Sequence, residues 1–139
     1  MEAKEVNFSA VLLNSNGESD LELGSFVQDV LESNGFKPQM VFFDEGRINQ
    51  DITDNVLKIR PRVIVVNMPF PYEQYKRGIK EFTESLDKVG ITVILATDGE
   101  FEALRDFKLH QYSPNVFHLV KPFEFDDLTQ VIQNAPNPK

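Results

Sequence analysis

The chain has no cysteine, no tryptophan and only two histidines, and it carries fourteen basic against twenty-two acidic residues in 139. Without cysteine there is no disulfide, thiolate nucleophile or thiolate metal ligand, so the fold rests on its own core, and the cytoplasm is the expected location. His110 and His118 offer no metal-ligand spacing, and neither lies near a glycine-flanked serine, so neither a metal centre nor a Ser-His-Asp nucleophile is expected. The shortage of positive charge, a formal −8, opposes a broad basic face for nucleic acid or anionic membrane. No apolar run approaches the roughly 18 residues of a membrane span, and the start MEAKEVNF lacks the pattern of an export signal.

What is present is a globular composition, 41% hydrophobic and 26% charged with twelve phenylalanines. One domain over residues 8–133 is expected, with residues 1–7 as an N-terminal extension. Residues 134–139, with two prolines and two asparagines, read as a tail or the start of a linker. At the centre stands RVIVVNMPFP, 62–71. Val63 to Val66 are apolar without alternation, which predicts a strand buried on both faces in a parallel sheet. Its polar terminus is Asn67, and ligands of open α/β sheets sit beyond the carboxyl ends of such strands.

Further strands are predicted at Phe8–Leu13, Gln39–Phe43, Ile91–Ala96 and Val116–Val120. A polar loop, Asn14–Ser19, precedes a helix with Asp20 as N-cap, an apolar stripe of Leu23, Phe26, Val27, Val30 and Leu31, and Gly35 just past its end. A second helix carries Ile52, Val56 and Ile59, with Asp51 as cap and Pro61 as stop. A third carries Tyr75, Ile79, Phe82 and Leu86 and ends near Gly90. Thr97-Asp98-Gly99 reads as a turn, 100–107 as a short fourth helix, and Leu128, Val131 and Ile132 as the face of a fifth. Strand and helix alternate five times, which implies right-handed crossovers and a three-layer α/β/α fold.

This layout, with Pro61 before the central strand, Pro71 after it, Thr97 at the end of the fourth strand and Lys121-Pro122-Phe123 after the fifth, resembles the receiver domain of two-component response regulators. The resemblance runs from about Phe8 to Gln133. It implies a flavodoxin-like, doubly wound parallel sheet of five strands in the order 2-1-3-4-5. It also implies a phosphoacceptor aspartate at the end of strand three, and an acidic pair after strand one that holds Mg²⁺ with it. By position these fall on Asn67 and on Asn14 and Ser15, so all three carboxylates are replaced. A carboxamide is a poor nucleophile and forms no acyl phosphate, and Mg²⁺ favours anionic oxygens. Asp98, where the family carries a small residue, adds bulk beside the same space. Lys121 is expected to pair with Asp98 or to donate to the oxygens of Asn14 and Asn67, giving a polar plug.

The implied function is a phosphorylation-independent pseudo-receiver, a protein-interaction and signalling module without enzymatic activity, cofactor or metal. The alternative is a regulatory module whose pocket, lined by Asn14, Asn67, Thr97 and Lys121, binds a small molecule or carries an unusual modification. Expected partners are proteins or a fused output domain, with a homodimer through the fourth helix, fifth strand and fifth helix. Phe101, Arg105, Lys108 and His118 are the candidate residues of that surface, and His118 lies where the family often has a mobile Tyr or Phe. A phosphate-cradling loop is not expected at Asn14–Ser19, because a single glycine there is followed by Glu18 and Asp20.

Overall fold

The structure, a computed structural model, describes residues 8–14, 18–42, 48, 50–67, 76–98, 115–121 and 123–136. Five strands, β1 (Ser9–Asn14), β2 (Lys37–Phe42), β3 (Val63–Asn67), β4 (Thr92–Asp98) and β5 (Val116–Lys121), form one parallel sheet in the order β2-β1-β3-β4-β5. The described helices are α1 (Glu18–Ser33), α2 (Gln50–Ile59), α3 (Lys76–Asp87) and α4 (Phe125–Gln133). This is the expected doubly wound architecture and strand order. The short helix expected at 100–107 lies outside the described residues.

Consecutive residues of the inner strands point into two different cores. Val11, Leu13, Ile64, Val66, Val93 and Leu95 join Ile52, Val56, Ile79, Phe82 and Leu86 from α2 and α3. Ala10, Leu12, Val63, Val65 and Ile94 join Val27, Val30, Leu31, Leu128 and Ile132 from α1 and α4. Two-sided burial is why these strands read as unbroken apolar runs, each large side chain contributing about 1.5–3 kcal/mol.

The helix ends follow local chemistry. Gly35 (φ 83°) closes α1, with its own N–H on the Glu32 carbonyl at 3.0 Å and the Phe36 N–H on Leu31 at 2.9 Å, the paired bonds of a glycine C-cap. Gly90 (φ 77°) does the same after α3, the Ile91 N–H reaching the Leu86 carbonyl at 3.2 Å.

Several boundaries differ from the sequence-based expectation. Asn14 is the last residue of β1 and not the first of a loop, because its buried amide has a partner in β3. The α1 helix begins at Glu18, so Asp20 lies in its first turn and is not the N-cap; acidic residues suit the positive end of the helix dipole. Likewise Asp51 is in the first turn of α2, which starts at Gln50. The β2 strand starts at Lys37 and includes Pro38, tolerated because β2 is an edge strand; Phe43 lies outside the described residues. The turn expected at Thr97-Asp98-Gly99 is corrected: β4 continues through Asp98, which pairs in register with Lys121.

At the opposite, amino-terminal edge of the sheet a polar clasp holds the C-terminal segment. Arg62 Nε donates to the Ala135 carbonyl at 2.8 Å while its guanidinium lies 5.3 Å from the centre of the Phe36 ring, and Phe8 meets that ring edge-on at 5.7 Å. The Asn34 amide donates to the Val30 carbonyl at 2.8 Å and to Thr129 Oγ1 at 3.2 Å, and its Oδ1 accepts from Gln133 at 3.1 Å. Ala135 is buried, so the chain stays on the domain past the end of α4.

Among the described residues one buried group near this edge, the Thr92 hydroxyl, has no hydrogen-bond partner. Thr92→Val keeps the shape and removes a desolvated donor, so stability should be unchanged or raised by about 1 kcal/mol. Urea unfolding checks this, and a loss of that size instead would mean the hydroxyl is bonded.

Candidate functional site

The site forms where β1 and β3 end side by side. Their ladder runs from Ala10–Val63 to Leu13–Val66, and Asn14 and Asn67 follow one residue later on the α1 side of the sheet. Asn67 Nδ2 donates to Oδ1 of Asn14 at 2.6 Å. Both side chains are shut away, Asn14 at 0% and Asn67 at 1% exposure. An amide pair is self-complementary: one N–H meets one carbonyl with no net charge to desolvate. Such a bond contributes about 0.5–1.5 kcal/mol net, but leaving either partner unsatisfied costs about 1–3 kcal/mol.

Across the sheet, Asn67 registers with Ala96 and Ala96 with Leu119; one residue further Thr97 meets Val120, and then Asp98 meets Lys121. The backbone therefore brings Asn14, Asn67, Thr97, Asp98 and Lys121 to the same carboxyl edge. The side chains of Thr97, Asp98 and Lys121 lie outside the described residues, and so does the expected pairing of Lys121 with Asp98 or with the asparagine oxygens. Ser15 is also outside them. Among the described residues no group of three His, Asp or Glu is placed to hold a metal ion.

Phe123 of the Lys-Pro-Phe motif packs on Phe26 of α1 with ring centres 6.0 Å apart. Glu124 then opens α4, its N–H donating to Asp127 Oδ2 at 2.9 Å. The motif thus ties the last strand to the helix that covers the amide pair. A residue the pattern reading passed over is Gly24, inside α1 against Asn14. A glycine within an apolar helical stripe was the available signal, since such a position costs about 1 kcal/mol and calls for a packing reason.

Of the expected interaction residues, Phe101, Arg105 and Lys108 lie outside the described residues. His118 is half-buried on β5, in register with Leu95. Nearby Phe117 and Phe125 are each 41% exposed. Burial lowers the pKa of His118 below the ordinary 6.5. The unfolded chain then binds a proton more readily than the folded one, so stability is complete above about pH 6.5 and falls as pH drops through and below that value. Urea unfolding between pH 7.5 and 5.5 should show this loss and a smaller one in His118→Gln; identical slopes would remove His118 as its source.

No protein-family model matches the chain, and no curated protein matches its sequence. Solved structures do share its fold. The signal receiver domain of a response regulator from Bermanella marisrubri superposes with TM-score 0.64 at 13% identity, over 94% of this chain and 98% of that one. The chemotaxis response regulator CheY4 of Vibrio cholerae gives 0.64 at 14% identity, over 94% and 100%. The receiver domain of the sensor histidine kinase PA1611 from Pseudomonas aeruginosa, which holds a magnesium ion in its active-site cleft, gives 0.63 at 16%, over 94% and 98%. The chain has the response-regulator receiver fold.

Proposed function

We propose that this chain is a pseudo-receiver, a signalling module that works by binding protein and not by accepting a phosphoryl group. The observation that carries this reading is the buried Asn67–Asn14 hydrogen bond at the carboxyl ends of β3 and β1. Asn67 stands at the end of the central strand, where an acceptor would need an ionised oxygen, and its amide is occupied. Asn14 stands where a carboxylate would have to hold Mg²⁺, and offers a neutral oxygen already engaged. The described pair, Asn14 and Asn67, offers neither an ionised nucleophile nor an anionic metal ligand, and no enzymatic turnover is proposed.

The functional surface is then the face formed by β5 and α4. The half-exposed Phe117 and Phe125 supply apolar contact area, and the exposed Glu124, Asp126 and Asp127 give it an acidic rim. A protein partner, a fused output domain or a second copy of the chain would dock there. No described helix is long and apolar enough to cross a membrane. The alternative, a pocket that binds a small molecule or carries a modification, is disfavoured by the burial of both asparagines.

Two readouts on the same protein test the proposal. Amide NMR spectra should not shift at Asn14, Asn67 or Thr97 when Mg²⁺ and then beryllofluoride are added. Partner capture should weaken by about tenfold or more on changing His118 or Phe101, the scale of one interface hot spot, and stay level on changing Asn67. Saturable shifts confined to the strand ends, or capture lost only with Asn67, would overturn it.

A further inference from the structure

Gly24 stands in the second turn of α1, directly above the strand-end amides. A Cβ added there would lie 2.7 Å from Nδ2 of Asn14, 3.3 Å from the Met40 methyl and 3.5 Å from a Leu12 methyl. The first distance is closer than a Cβ is tolerated, and the group it meets has little room to yield. Asn14 is fully buried and its oxygen is held by Asn67. At its far end Asn34 is bonded to Thr129 and Gln133 of α4, so relief of the clash would have to tilt α1 about that anchor. The backbone of α1 is therefore seated on the Asn14 amide at the one position in this turn without a side chain.

The geometry points to Gly24 as a positioning residue that lets α1 close over Asn14 and Asn67 as a seal, shutting the strand-end pocket to water and small ions. The inference deepens the proposed function by giving a steric cause, besides the chemical one, for a site that takes no ion.

Gly78 in α3 supplies an internal control. A Cβ there would meet the Ile48 carbonyl oxygen at 2.9 Å, comparable crowding against a residue of the other core cluster. The test uses the whole chain: NMR hydrogen exchange of the asparagine side-chain amides, and thermal unfolding, for the wild type, Gly24→Ala, Gly78→Ala, Asn14→Ala and the double variant Asn14→Ala/Gly24→Ala.

In the wild type the Asn14 and Asn67 amides should exchange at least about a hundredfold more slowly than exposed Asn55. Gly24→Ala should speed them by about tenfold or more and lower Tm by on the order of 5 °C. Gly78→Ala should lower Tm similarly and leave the two amides protected. In the Asn14→Ala background the Gly24→Ala cost should fall markedly, since the nearest atom the methyl meets is gone and only the looser Met40 contact remains. Exchange in the wild type as fast as at Asn55 overturns the seal, as does an undiminished Gly24→Ala cost in the Asn14→Ala background. If Gly24→Ala does not fold, the wild-type exchange and the double variant still decide. Fast exchange in a protein that takes no phosphoryl group sinks the seal alone; slow exchange in one that does take it sinks the proposed function alone.

Discussion

Burial of β3 on both faces is the constraint from which the rest of the structure follows. Val63 to Val66 have no solvent-facing side, so each sheet face must be covered by helices, and the crossovers that place them there require parallel strands. The strand can end only where its next side chain finds a partner without water. Asn67 does so through Asn14, the corresponding terminal residue of β1. The polar site is thus the closure of the apolar core.

The amide pair also decides what the site can do. Two carboxylates this close in a buried position could not both stay ionised without a cation or a shared proton. Two amides need neither, and they allow α1 to pack against them at Gly24. On the proposed reading, amides in these two places offer no ionised oxygen to act as nucleophile or anionic metal ligand. What remains of the receiver pattern, Lys121 registering with Asp98 and Phe123 packed on Phe26, links the last strand and helix to the sheet. The face of β5 and α4, with Phe117 and Phe125 half-exposed, is where recognition is proposed.

The fold was legible because its signals are local. The unbroken Val63–Val66 run, the three- and four-residue spacing of Val27, Val30 and Leu31, and the glycines at 35 and 90 each name an element or its end. Asn67 was legible as the polar terminus of the central strand. Its partner was not, because Asn14 reads as a loop residue until the register of β1 on β3 brings the two amides together. Gly24 was missed for a related reason: its role depends on which side chain lies beneath α1, a contact across ten residues of sequence and two elements. The clasp of Arg62 on Ala135 joins residues 73 positions apart and left no pattern in the chain. Strand ends such as Asp98 were misplaced because only the neighbouring strand supplies the pairing that extends them.

The central claim is that a neutral, occupied amide pair stands where phosphoryl transfer would need ionised oxygens. Intact-mass spectrometry of the chain after incubation with acetyl phosphate and Mg²⁺ tests it most directly. The account requires a mass unchanged from the untreated protein. An added phosphoryl group, lost on treatment with hydroxylamine as an acyl phosphate would be, would contradict it and show that a carboxylate of the chain has taken the acceptor's role.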